Sequence, residues 1–160
     1  MQGFEAGRVR FVRLTQVPER LITAQMSDAR LAEHLPLLTG PWTEAQTRAL
    51  VAEKERHWTR DGLGHCGIYV GDRYAGWGGF QKEGPEWDYG LVLCADQFGR
   101  GAEITRAALE FARSDPRLRT VTFLLPMSRK HLRALDRLGA RQVGLVQLSG
   151  EQFRKFVLHV

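Results

Sequence analysis

Leu91-Val92-Leu93-Cys94-Ala95-Asp96-Gln97-Phe98-Gly99-Arg100-Gly101-Ala102 is the stretch on which the reading of this 160-residue chain turns. An apolar run ends in a glycine-bearing turn and opens into helix-forming sequence. Ile104, Ala107, Ala108, Phe111 and Ala112 then recur on one helical face until Ser114-Asp115-Pro116 stops it. At such a turn the unpaired N–H groups of the first helical turn and the positive end of the helix dipole converge, which suits a phosphate or pyrophosphate. Gly99 and Gly101 let backbone approach a ligand closely, and Arg100 adds a cation. The pattern is neither a P-loop, which needs Gly-Lys-Ser/Thr, nor a dinucleotide fingerprint, which needs a third glycine.

Working outward, residues 120–125 alternate as a strand, so strand, helix and strand follow in close succession and predict a right-handed parallel crossover. Pro126 ends that strand. Residues 127–138 read as an amphipathic helix with Leu132, Leu135 and Leu138 inward, closed by Gly139 as a left-handed cap. Residues 143–148 and 153–160 around Ser149-Gly150 form a terminal hairpin. Upstream, residues 66–70 and 74–81 flank Gly71-Asp72 as a tight hairpin, and Lys82-Glu83-Gly84-Pro85 turns the chain into 87–94. The first third reads as short strands at 8–14 and 20–24. A helix start follows at Ser27-Asp28, with Leu31, His34 and Leu35 at helical spacing. A longer helix from Glu44 to about Arg60 is introduced by Thr43 and stopped by Asp61-Gly62. The expectation is one α/β (α+β) domain over residues 1–160, with a mixed, mostly antiparallel, twisted sheet flanked by helices.

Composition narrows the function. With 43% hydrophobic residues, 26% charged and two cysteines, the chain is neither disordered nor a disulfide scaffold. No apolar run approaches the ~18 residues of a membrane helix, and residues 1–14 lack a secretory pattern, so the expected compartment is the cytoplasm. The net charge of +5 comes from scattered arginines. The densest basic group, Arg129, Lys130, Arg133, Arg137 and Arg141, falls at helical spacing, as on a solvated face or a patch for an anionic cofactor. Nucleic acid is disfavoured, since no zinc-finger spacing accompanies the charge.

The order of elements around residues 91–102 resembles that of the GNAT superfamily of acyl-CoA-dependent N-acetyltransferases, over most of the chain from residue 20 to 158. The family pattern Arg/Gln-x-x-Gly-x-Gly/Ala places its fourth position on Gly101. Trp87-Asp88-Tyr89-Gly90-Leu91 before Phe98-Gly99-Arg100-Gly101 is most similar to the ribosomal-protein N-terminal acetyltransferase branch, and Leu138-Gly139 resembles the end of the family's later Leu-Gly-Phe helix. The chain departs from the pattern at Phe98 (Arg or Gln in the family), Glu103 (Gly or Ala), Ser128 (Asn) and His131 (Ser). A carboxylate at 103 repels a diphosphate if it faces the cradle.

The resemblance implies acetyl-CoA as acyl donor and a primary amine as acceptor, attacking the thioester directly, with no metal. It implies pantetheine beside Leu93 and Cys94, with the pyrophosphate on the amides of Phe98, Gly99, Arg100, Gly101, Ala102 and Glu103, and Ser128 nearby. Such chemistry needs a base for the amine and a proton for the thiolate. Asp88 occupies the branch's acidic position, and Glu86, two residues earlier on the same strand face, is its alternate. The tyrosine that donates the thiolate's proton in many members is replaced by Leu135, leaving Ser128, Tyr89 and Tyr74 as substitutes. An α-amino acceptor, with a pKa of about 7.7–8.0 against about 10.4 for lysine, needs less help from a base.

The acceptor itself is open. A protein N-terminus and small-molecule amines both fit, and the family leaves room for a homodimer. The rival reading is a non-catalytic acyl-CoA-binding or interaction domain. His131 reads as a half-buried helix residue, and His34, His57, His65 and His159 lack metal-ligand spacing. Cys94 reads as a small apolar strand residue, and Trp42, Trp58, Trp77 and Trp87 divide between core and acceptor cleft.

Overall fold

The computed structural model describes residues 3–35, 40–129 and 132–160. Eight strands make one sheet: β1 (Gly3–Ala6), β2 (Val9–Arg13), β3 (Cys66–Val70), β4 (Arg73–Glu83), β5 (Glu86–Leu93), β6 (Thr120–Pro126), β7 (Arg141–Leu148) and β8 (Glu151–His159). The helices are α1 (Glu19–Met26), α2 (Ala29–Ala32), α3 (Glu44–Asp61), α4 (Gly101–Ser114) and α5 (Arg133–Leu138). Strand order is β1-β2-β3-β4-β5-β6-β8-β7. Among the described residues only β5 and β6 pair in parallel, joined by the α4 crossover, so the sheet is mixed and mostly antiparallel, as expected.

Local chemistry accounts for the elements read correctly. Gly71 (φ 62°) turns β3 into β4, while Ser149 (φ 49°) and Gly150 (φ 83°) turn β7 into β8. Thr43 and Gln46 form a capping box at the start of α3, and Gly62 closes it in the left-handed region. Helix α4 lays Ile104, Ala107, Ala108, Leu109 and Ala112 against Phe80, Trp87, Tyr89, Val121, Phe123, Phe156 and Leu158 of the main core. A second core on the other face joins α1 to Tyr74 and Trp77.

Four segments differ from expectation. No strand was expected over β1 (Gly3–Ala6), which pairs antiparallel with β2. Residues 20–24 are helical, not extended: Pro18 and Glu19 start α1, which buries Ile22, Gln25 and Met26 on one stripe. Leu21-Ile22-Thr23 is too short a window to separate strand from helix. The helix expected over 127–138 is described only as Arg133–Leu138. Before it Arg129 N–H bonds Pro126 O in a turn, and the Arg154 guanidinium donates to the carbonyls of Met127 and Arg129, drawing that backbone toward β8. Lys130 and His131 lie outside the described residues, as do Met1 and Gln2. Gly139 caps α5 with φ 85°, as expected, with Leu135 buried. Finally, a 3₁₀ turn, Ala95–Arg100, runs directly into α4, so helical backbone begins upstream of the glycines.

Candidate active site

The register of β5 creates the cleft. Its pairing with β6 covers only Trp87–Val121, Asp88–Thr122 and Tyr89–Phe123, although β5 continues to Leu93 against β4, and β6 to Pro126 against β8. The two strands therefore part after Tyr89 and Phe123, leaving a wedge between Gly90–Leu93 and residues 124–126. Its wide end faces the turn that feeds α4.

Asp88 stands at the apex of this wedge. Its carboxylate accepts a 2.8 Å bond from Thr122 Oγ1. Burial pushes its pKa up to about 7, further raised by Glu83 and Glu86 and opposed by the Thr122 bond and Lys155. A carboxyl poised there switches between proton acceptor and donor near neutrality. Glu86, the alternate, is exposed and held 2.6 Å from Lys155 Nζ. Ser128 is exposed in the turn after β6.

The two tyrosines considered as proton donors are both committed. Tyr89 is buried on the α4 face, opposite Asp88, with its hydroxyl 3.0 Å from Thr105 Oγ1. Tyr74 donates to Gln25 Oε1 at 2.7 Å, and Gln25 Nε2 donates to Val92 O at 2.7 Å. Burial raises both phenol pKa values above the usual range.

At the cradle, Gly99 and Gly101 have ordinary φ angles. A Cβ added at Gly99 would meet nothing within 4 Å, and at Gly101 only Leu93 Cδ1 at 3.8 Å. These glycines are not required by the turn. A side chain at either position would enter open space. Leu93 is buried toward α4, and Phe98 is exposed, edge-on to His34 at 5.0 Å. Arg100 and Ala102 are exposed. Cys94 is half-buried, and burial pushes its thiol up to about 11, so it packs rather than reacts.

Glu103 does not stand as a bare charge. Arg8, from the turn between β1 and β2, grips both its oxygens at 2.6 and 2.9 Å, and Arg100 Nη1 lies 3.6 Å away. These bonds hold its carboxyl below the usual range. Arg8 had no signal in the sequence, lying 95 residues from its partner. Lys54 had one, because it occupies the inward stripe of α3 with Thr47 and Trp58, where an apolar residue belongs. Of the tryptophans, Trp58, Trp77 and Trp87 are buried, and Trp42 Nε1 bonds Thr47. Among the described residues no group of three or more His, Cys, Asp or Glu could hold a metal, and no helix is long and apolar enough to cross a membrane.

No protein-family model matches the chain. No curated protein matches it either. Solved structures do. A GNAT-family acetyltransferase from Bacillus anthracis superposes with a TM-score of 0.72 at 17% identity, over 99% of this chain and 97% of that one. RimL, a ribosomal L7/L12 alpha-N-protein acetyltransferase, gives 0.76 at 14% identity over 99% and 95%. The microcin C7 self-immunity acetyltransferase MccE, in complex with acetyl-CoA and AMP, gives 0.73 at 12% identity over 97% and 94%. The chain has the GNAT acetyltransferase fold.

Proposed function

We propose that the protein transfers an acetyl group from acetyl-CoA to a primary amine by direct attack. The observation that carries this is the Asp88 carboxyl at the apex of the β5–β6 wedge, on a fold shared with acetyltransferases, one of which holds acetyl-CoA. The glycine-spaced start of α4 with Arg100, and the open side of β5 from Gly90 to Leu93, would hold the donor. Acetyl-CoA, when bound, supplies the thioester carbon that takes the amine lone pair, the C–N bond forming as the C–S bond breaks.

Asp88 accepts the proton that the amine nitrogen sheds, directly or through one water, and Thr122 fixes the carboxyl for that transfer. Protonated Asp88 at the apex, or Ser128 in the turn beyond the wide end of the wedge, can then return a proton to the thiolate. The acceptor is an amine of small-molecule or peptide origin. RimL is a ribosomal L7/L12 alpha-N-protein acetyltransferase, so a protein α-amino group belongs in the panel of acceptors to test.

The test is thiol release from acetyl-CoA in the presence of an amine panel, with the acetylated product identified by mass. Product formation that depends on Asp88 supports the reading. Tight acyl-CoA binding with no product from any amine would favour a non-catalytic acyl-CoA-binding domain.

A further inference from the structure

On the sheet face that carries Asp88, Gly79 and Gly90 stand opposite each other across β4 and β5. A Cβ at Gly90 would meet nothing within 4 Å, and one at Gly79 only Gly64 O at 4.0 Å. The sheet here has a floor of bare backbone, bounded by the pair Gln81–Asp88 at one end and Trp77–Val92 at the other.

Lys54 reaches this region from α3. It is only 7% exposed, and its Nζ lies 2.8 Å from Gln81 Oε1 and 5.4 Å from the centre of the Trp77 ring. Among the described residues no carboxylate comes within 4 Å of it. Glu83, close by, spends its oxygen on Gln81 Nε2. A buried ammonium with one neutral acceptor keeps two donors unmet, and its charge is offset only by the Trp77 ring and by Glu53 and Glu83 at longer range, an arrangement that a bound carboxylate would complete. Desolvation lowers the Lys54 pKa accordingly.

A second, independent shortage lies beside it. Trp77 is 9% exposed and its buried Nε1–H has no partner, and buried His65 Nδ1, with its ring 5.7 Å from that of Trp77, has none either. Native proteins seldom leave such buried polar atoms unmet. Lys54, with two N–H groups left over, and Trp77, with one, thus offer unmet donors on the floor whose far end holds the proton acceptor for an amine.

We propose that the acceptor is amino-acid-like: a small primary amine that carries its own carboxylate, with Asp88 taking the amine and Lys54 and Trp77 binding the carboxylate as specificity residues. This rests on the acetyltransferase reading above. The cross-strand pair Gln81–Asp88 sets the span, since directly opposed side chains start about 5 Å apart, so only a carboxylate close to the nitrogen reaches both ends. A peptide N-terminus offers a neutral carbonyl there and leaves the Lys54 charge unpaired.

The experiment compares glycine, β-alanine, glycinamide, a short peptide and propylamine as acceptors for the intact protein. Glycine or β-alanine is expected to exceed propylamine and glycinamide by about ten-fold or more in kcat/KM, the worth of a hydrogen bond to a charged group. Lys54→Met should erase that preference by raising KM for the carboxylate acceptor about ten-fold more than for propylamine. Trp77→Phe keeps the ring and removes only the N–H, and should lower the preference about three-fold or more, so the inference stays testable if Lys54→Met does not fold. Equal use of propylamine and glycine, preference for glycinamide or the peptide, or equal losses on all acceptors in both variants would overturn it. Transfer to no amine at all would overturn the acetyltransferase reading itself, a result distinct from transfer without preference.

Discussion

Asp88 meets two demands that pull against each other. The fold half-buries its carboxyl, and the proposed reaction needs it charged part of the time. Its pKa of about 7, against about 3.9 in an unfolded chain, means that folding takes up a proton between those values. The stabilising contribution of the protonated group is full below pH 4 and is lost as pH rises through 7. Asp88→Asn keeps an acceptor for Thr122 without a charge, so it should raise Tm by a few degrees at pH 8 and leave it near the wild-type value at pH 4. The same variant should lower kcat by about 100-fold or more. It should also abolish the rise in rate through pH 7 that deprotonation of Asp88 gives the wild type. A rate profile unchanged by the substitution would remove Asp88 from the chemistry.

Glu103 is the other residue-scale test. Its carboxylate holds Arg8 and Arg100 at the mouth of the cradle, so Glu103→Ala frees two guanidinium groups and removes a negative charge. CoA should bind several-fold more tightly to that variant at low salt, with the difference fading at high salt because the groups are exposed. Asp88 and Glu103 were both legible in the sequence as acids flanking a glycine-spaced helix start. Arg8, Lys54 and the Trp77 N–H were not recognised as parts of the proposed site: Arg8 meets Glu103 only through the sheet, and Lys54 needed the inward stripe of α3 to be tracked residue by residue.

Among the elements, those with explicit punctuation were readable. Thr43 and Gly62 bracket α3, Gly71 makes the β3–β4 turn, and Ser149-Gly150 makes the last hairpin. Thr43→Ala should cost about 1 kcal/mol in a denaturant melt without altering ligand binding, since its hydroxyl serves only the cap. The elements read wrongly lacked such marks or were held from afar. Helix α1 offers a five-residue window rich in Leu, Ile and Thr, and the turn after β6 is fixed by Arg154 from a strand more than twenty residues later. The bare stretch of β5 gives a cleaner probe. A Cβ at Gly90 meets nothing within 4 Å, so Gly90→Ala should change the melt little while acceptor use falls by about ten-fold or more. A severe loss of stability instead would show that the space is not open in solution.

At the scale of the molecule, one feature of topology generates the candidate site: among the described residues, a single parallel pair inserted in an otherwise antiparallel sheet, joined by a crossover helix whose start faces the parting strands. The strand-helix-strand order around residues 91–125 made that pair predictable. The extent of its pairing, three rungs and no more, was not, because register depends on packing across the whole sheet. The wedge is the central claim, and calorimetric titration of acetyl-CoA and CoA into the purified protein tests it directly, with exposed Arg100→Glu as the control for the cradle. Micromolar binding to the wild type, weakened about ten-fold or more by Arg100→Glu at unchanged Tm, is the expected result. Absence of binding at millimolar ligand would contradict it.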